Sequence, residues 1–115
     1  TYNLETVLAE KLEAILSLGP ASTRLRDYYD AYILMLEKSD VINSHHFRKA
    51  FEATSKQRGS TDISNQAESI LDDIWSSSTM KEQWEMYGKR NSYVGEVSWE
   101  TVLDSCRKLV ALLNT

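Results

Sequence analysis

Apolar residues recur along the chain at the three- and four-residue spacing of amphipathic helices. The clearest stripe predicts one wide buried helix face, and it runs through Leu25, Tyr28, Tyr29, Tyr32, Ile33 and Leu36. Comparable stripes predict further helices at about residues 4–18, 45–57, 64–75 and 79–90 and after Ser98. No strand-like alternation of useful length appears. We therefore predict an all-α fold, a bundle of about six helices formed by residues 1–115 as a single domain.

Capping residues and helix breakers set the ends of these helices. Gly19 and Pro20 stop the first, and Gly59 closes the third. Side chains that can accept a hydrogen bond from a free backbone N–H predict the helix starts, namely Ser22 or Thr23, Asn43 or Ser44, the serines at 76–78, and Ser98. Because the first connection is short, we expect the first two helices to pack as neighbours, and antiparallel.

Composition narrows the classes of protein to which this chain can belong. The chain has 115 residues, 42% apolar and 26% charged, as globular proteins do. Its net charge of -4 argues against binding nucleic acid or anionic membranes through the whole surface, but leaves a local basic patch open. No apolar run reaches the roughly 18 residues of a membrane span. With Thr1 first and no signal-peptide pattern, we expect part of a longer cytoplasmic protein, or a processed one.

Polar residues beside the first two stripes are the candidates for chemistry. Lys11 lies at the edge of its stripe, where its stem can follow the core and its ammonium can reach a rim. Arg24, Asp27 and Asp30 are spaced by three and share one side of the second helix. The two carboxylates could share a divalent metal, or pair with Arg24 and Arg26, which is the commoner arrangement. We expect Lys11 and Asp27 to converge on one surface, with Lys11 left partly unpaired.

Other candidates carry weaker signals. Adjacent helix positions point about 100° apart, so His45 and His46 do not grip one ion easily. Cys106 lies on an apolar stripe and is expected to be a core thiol. The three tryptophans are expected in the core, although one could be a stacking platform. The basic side of the third helix is usually a solvated face and less often a phosphate contact; it carries Arg48, Lys49, Lys56 and Arg58.

Residues 4–12 (LETVLAEKL) followed by 22–32 (STRLRDYYDAY) resemble the AbiEii/AbiGii family of nucleotidyltransferase toxins, part of the DNA-polymerase-β-like nucleotidyltransferases. Residues 50–54 (AFEAT) with 58–60 (RGS), then 84–87 (WEMY) and the closing helix, are similar to later parts of that family. The resemblance implies that Lys11 contacts nucleotide phosphates and that Asp27 assists the acceptor or the metal shell. It further implies substrate binding by Arg24, Asp30 and Arg58.

The same resemblance implies an incomplete catalytic centre. Its metal-binding motif, Gly-Ser followed by Asp-x-Asp, lies upstream, on a β-sheet, and this chain contains no Gly-Ser followed by Asp-x-Asp. We therefore expect Mg²⁺ and an NTP to bind the full-length protein and neither to bind this piece. The chain would be the C-terminal helical portion, and the N-terminal catalytic half would be its partner.

The resulting hypothesis is a cytoplasmic toxin whose full-length form transfers a nucleotide from an NTP to an RNA acceptor. A cognate antitoxin and a role in abortive phage infection follow from the family, and no membrane contact is expected. The alternative is a helical interaction or substrate-recognition module without transferase chemistry, using the basic third helix and the aromatic residues. A DNA-binding regulatory domain is a weaker third option, because no helix is basic enough to read DNA convincingly.

Overall fold

The computed structural model describes residues 3–21 and 24–115, and 86% of these are helical. The six α-helices are α1 (Leu4–Leu18), α2 (Leu25–Lys38), α3 (Ser44–Arg58), α4 (Ala67–Ser76), α5 (Ser78–Arg90) and α6 (Trp99–Leu113). Short 3-10 turns lie in the connections, at Gly19–Ala21, Ser39–Val41, Ile63–Gln66 and Ser92–Val94. The described residues form no strand, so the predicted all-α fold is confirmed.

Polar side chains start four of the helices. The Asn3 side chain accepts a hydrogen bond from the Thr6 N–H at 2.8 Å and so begins α1. Asn43 begins α3, Ser77 begins α5 and Ser98 begins α6 in the same way. The predicted starts at Asn43, the serine run and Ser98 are therefore confirmed. Ser22 and Thr23, the predicted caps of the second helix, lie outside the described residues; α2 itself begins at Leu25.

Helix α1 lies at the centre and packs against α2, α3 and α4. Residues 12–16 of α1 are consequently buried on every side, and each is 5% exposed or less. A helix surrounded in this way is normally apolar all round. Glu13 is the charged exception in this segment, and its partners are part of the candidate site.

Helix α6 forms the opposite wall and packs on α2, where the rings of Tyr28 and Trp99 lie 5.1 Å apart. Trp84 packs on Trp99 from α5, with ring centroids 5.7 Å apart. Both tryptophans are buried, as predicted, but Trp75 is 49% exposed and the prediction that it fills the core is wrong. Its neighbour Ile74 is buried, and consecutive helix positions point about 100° apart, so Trp75 turns towards solvent.

The predicted buried face of the second helix is correct except at its end. Leu25 and Tyr28 are buried, whereas Leu36 is 64% exposed and its assignment to that face is wrong. The face continues through Ala31 and Met35 instead. A helix buries the face that packs against its neighbours. At its C-terminal end that face contains Met35, and the next residue, Leu36, therefore points outward. Among the described residues, no helix has the length and apolarity needed to cross a membrane.

Candidate functional site

Lys11 of α1 meets the start of α2. Its Nζ lies 3.0 Å from Asp30 Oδ2 and 3.4 Å from Asp27 Oδ1. Asp27 stands in the first turn of α2 and Asp30 one turn later, so both carboxylates face α1. The predicted convergence of Lys11 and Asp27 is confirmed. Lys11 is more fully paired than expected, because its ammonium donates to two carboxylates and keeps one hydrogen for a further acceptor.

The chain reversal at Gly19 makes this meeting possible. Gly19 ends α1 with φ 54° and donates its N–H to the Ile15 carbonyl. Such a positive φ is strained for residues with a side chain, and glycine adopts it readily. The next helix begins at Leu25, and the middle of α1 contacts the first turn of α2 through Lys11 and Asp27.

Each carboxylate of the site also pairs with an arginine. Arg24 Nε lies 3.0 Å from Asp27 Oδ2, and Arg26 Nε lies 2.9 Å from Asp30 Oδ1. The salt-bridge interpretation of these two carboxylates is therefore confirmed. The alternative of a shared metal does not fit, because the Lys11 ammonium stands between them. The described part of the chain also holds no group of three or more His, Cys, Asp and Glu that could bind a metal.

Burial differs sharply between these charges. Asp27 is only 6% exposed, whereas the Lys11 side chain is 22% exposed and the Arg24 side chain 61% exposed. A buried carboxylate needs ionic or hydrogen-bonding partners, and Lys11 and Arg24 both supply them. Asp27 therefore anchors two cations that reach outward, rather than lying at a rim itself.

An open pocket of about 280 Å³ lies in front of this cluster. It is lined by Val7, Glu10, Lys11, Arg24, Asp27 and Arg58. Four of the five predicted site residues thus share one pocket, and the fifth, Asp30, contacts Lys11 from the side. Three of the lining side chains are cationic and two are carboxylates, and such an arrangement can receive an anionic group beside a hydrogen-bond acceptor.

Arg58 reaches the pocket from the end of α3. Gly59 follows it with φ 75° and closes the helix, which turns Ser60 back towards α1. Arg58 Nη1 and Ser60 Oγ then each donate to the Glu13 carboxylate at 2.7 Å. Ser17 Oγ donates to the same carboxylate, also at 2.7 Å. Glu13 thus fastens the end of α3 to the centre of α1 and holds Arg58 at the pocket wall.

The charge of Glu13 is stabilised by this arrangement. Burial alone would raise the pKa of Glu13, but the hydrogen bonds from Arg58, Ser17 and Ser60 outweigh it and lower that pKa below its usual 4.5. Sequence analysis did not single out Glu13. The available signal was a lone charge within the apolar run of residues 12–16.

One model of a known protein family matches this chain. The model of the family described as "Nucleotidyl transferase AbiEii toxin, Type IV TA system" matches residues 1–105, which is most of the chain. The chain belongs to the AbiEii toxin family. No curated protein and no solved structure matched it. Membership in this type IV toxin–antitoxin family implies a cognate antitoxin.

The match to the AbiEii family covers all the residues that meet at the pocket, from Lys11 to Arg58. The candidate residues outside the pocket have less support as functional residues. His45 and His46 are exposed at the start of α3. Cys106 is completely buried, and burial raises its pKa to about 12, so the thiol stays protonated and unreactive.

Proposed function

We propose that this chain is the helical part of a nucleotidyltransferase toxin whose complete form transfers a nucleotide from an NTP to an RNA acceptor. The convergence of Lys11 and Asp27 in one open pocket, with Arg24 and Arg58 on its walls, carries the proposal. Membership in the AbiEii family is the second support. Neither support names the RNA or the nucleotide, which remain parts of the proposal.

Lys11 would bind the phosphates of the NTP. An ammonium group has three hydrogens to donate, and Lys11 donates to Asp27 and Asp30. A triphosphate brings several anionic oxygens, so it can take the remaining hydrogen or displace a carboxylate. Arg24 and Arg58 would support it, since a planar guanidinium suits phosphate oxygens.

Asp27 would act mainly by positioning. It lies within 3.4 Å of Lys11 and 3.0 Å of Arg24, and its side chain is 9% exposed. The small exposed part could accept a hydrogen bond from the acceptor. Asp30 would hold Lys11 from the other side and thereby restrict where its ammonium points.

Transfer of this kind also needs a metal that stabilises the charge on the phosphates. The residues of this chain do not fit that role, because Lys11 occupies the space between the two carboxylates of the pocket. The resemblance implies that the Mg²⁺ motifs lie upstream, so we propose that the complete protein binds Mg²⁺ and that residues 1–115 alone transfer no nucleotide. We further propose that the protein acts in the cytoplasm, where NTPs and RNA are available, and that its toxicity is opposed by the cognate antitoxin.

The direct test is nucleotide transfer by the complete protein, with each labelled NTP, Mg²⁺ and total RNA. We expect Lys11→Ala to lower the rate about 100-fold or more, as removal of one donor to a transition-state charge does. A second variant, Lys11→Met, keeps an unbranched stem of nearly the same length and removes the charged ammonium, so it separates catalysis from packing.

The matched control is Lys108→Ala. Lys108 also forms an ion pair, with Asp104 at 3.2 Å, but on the exposed face of α6. Its loss is expected to leave transfer within about twofold, since exposed pairs contribute little. Transfer that survives in both Lys11 variants would overturn the proposed role of this residue.

The alternative function is a helical interaction module without transferase chemistry. It is favoured by one observation, namely that Lys11 and its two carboxylates already satisfy one another. A wild-type complete protein that transfers no nucleotide, together with an upstream sequence lacking Gly-Ser and Asp-x-Asp, would select this alternative.

A further inference from the structure

An arginine and a tyrosine form a stacked pair next to the pocket. The Arg26 guanidinium carbon lies 5.0 Å from the centre of the Tyr93 ring. The same side chain contacts Asp30 at 2.9 Å, and Asp30 contacts Lys11 at 3.0 Å. One carboxylate therefore separates the stacked pair from the ammonium that we assign to phosphate binding.

Tyr93 is held in place from two sides. Tyr29 Oη donates to the Tyr93 carbonyl at 3.0 Å, and the two rings meet edge to face with centroids 5.0 Å apart. The hydroxyls of Tyr87 and Tyr93 are hydrogen-bonded to each other. Burial, followed by this hydrogen bond, raises the pKa of Tyr87 to about 12, so the contact persists at neutral pH.

A chain of rings connects Tyr93 to the core. Tyr87 stacks on Trp84 with centroids 5.7 Å apart, and Trp84 packs on the buried Trp99. The Trp84 indole N–H donates to the Val97 carbonyl at 2.9 Å, which fixes the ring. Tyr93 nevertheless remains 44% exposed. A fixed but exposed aromatic ring binds a flat partner with little loss of side-chain freedom.

We propose that Arg26 and Tyr93 form a stacking platform for a nucleobase whose attached phosphates lie at Lys11. The proposal rests on the proposed function for the identity of its ligand. Arginine and aromatic faces both stack on bases, and this stacking tolerates different sequences because every base has a flat face. Because Lys11 is assigned to the phosphates of the NTP, the base is that of the NTP.

Trp75 shows what distinguishes this platform from any exposed ring. It is exposed to a similar degree, 49%, on α4. Its surroundings include two carboxylates, Glu100 and Asp104, against one cation, Arg107. Arg107 is already paired with two further carboxylates, so the local charge disfavours a polyanion. Trp75 therefore serves as the matched control for an exposed aromatic residue.

The test measures ligand binding by the complete protein, which does not require turnover. One arm titrates a fluorescently labelled single-stranded RNA of mixed sequence, and the other titrates each NTP by calorimetry. Loss of one stacked base weakens binding about 5- to 100-fold. We expect Tyr93→Ala to raise Kd by that factor in the NTP arm. A rise in the RNA arm alone would overturn the assignment of the base to the NTP.

Three further variants separate stacking from structure and charge. Tyr93→Phe keeps the ring and loses its hydroxyl, so its Kd is expected within about twofold of the wild type. Arg26→Lys keeps the charge and loses the planar group, so it is expected to weaken the same arm. Trp75→Ala is expected to leave both arms unchanged. Thermal unfolding of each variant shows that it is folded.

The outcomes separate this proposal from the proposed function. Unchanged Kd values for both Tyr93→Ala and Arg26→Lys, in both arms, would overturn the platform even if Lys11→Ala abolishes transfer. Weakened binding in a protein that transfers no nucleotide would support the platform and reject the transferase.

Discussion

Two ionic clusters start from positions two residues apart on α1, one at Lys11 and one at Glu13. Glu13 is 2% exposed and accepts three hydrogen bonds of 2.7 Å, from Arg58, Ser17 and Ser60. Lys11 is partly open, contacts its carboxylates at 3.0 and 3.4 Å, and lines a pocket. A buried, fully satisfied carboxylate holds two helices together, whereas a partly open ammonium keeps the capacity to bind something else.

The comparison shows why charge alone did not separate structure from function in this chain. Both clusters combine carboxylates with cations, and Arg58 takes part in both, as a donor to Glu13 and as a wall of the pocket. Burial and the number of donors differ, and these quantities decide whether an ionic group can exchange its partner.

Of the three predictions that test this comparison, the largest effect is expected at Asp27. Asp27→Asn keeps the size of the side chain and removes the charge that holds Lys11 and Arg24. We expect nucleotide transfer by the complete protein to fall about 100-fold, while the free energy of unfolding falls by about 1 to 2 kcal/mol, because the uncharged amide pairs less well with the two cations. Asp104→Asn, which disturbs the exposed pair with Lys108, is the control. Equal transfer rates for the two variants would contradict the functional role of the cluster around Lys11.

A smaller effect, on stability, is expected at Glu13. Glu13→Ala leaves the Arg58 guanidinium and two serine hydroxyls without their acceptor, and it opens a small space at the centre of α1. We expect the free energy of unfolding to fall by about 2 kcal/mol. Urea denaturation followed by circular dichroism measures this, with Glu82→Ala on the exposed face of α5 as a control expected within about 0.5 kcal/mol. A Glu13 variant as stable as that control would contradict the bracing role.

The smallest effect is a pH dependence of stability. Folding lowers the pKa of Glu13 below 4.5, so its ionised form stabilises the folded state. That contribution is complete above the unfolded pKa and is lost as pH falls from about 4.5 through the folded pKa. Thermal unfolding against pH is therefore expected to show a steeper acid decline in the wild type than in Glu13→Gln. Parallel curves would show that the charge of Glu13 does not matter.

Helix positions followed from local sequence because their signals are local. Asn43, Ser98 and Gly59 act within one turn of themselves, and the apolar stripes need only the helical period. The predictions were wrong where the burial of a residue depends on how a neighbouring helix packs. Leu36 fits its stripe by spacing but lies beyond the part of α2 that is covered, and Trp75 is one position past a buried stripe.

The sequence predicted part of the candidate site. The spacing of Arg24, Asp27 and Asp30 and the short connection at Gly19 predicted that these residues meet Lys11. Spacing could not show that both carboxylates close around the ammonium, since that depends on the angle and depth at which α1 and α2 pack. Tyr93 carried no signal at all, because its partners Arg26, Tyr29 and Tyr87 come from two other helices.

The amino-acid sequence by itself determined that the chain is all-helical and where its later helices start. It also determined that Lys11 and Asp27 meet, and it carried the resemblance that the family match confirmed. Only the tertiary structure decided that Asp27 is buried, that Glu13 joins α1 to α3, and that Arg26 stacks on Tyr93. The physical reason is distance along the chain. Capping and periodicity operate over a few residues, whereas burial and ion pairing depend on segments that are far apart in sequence and come together only when the helices pack.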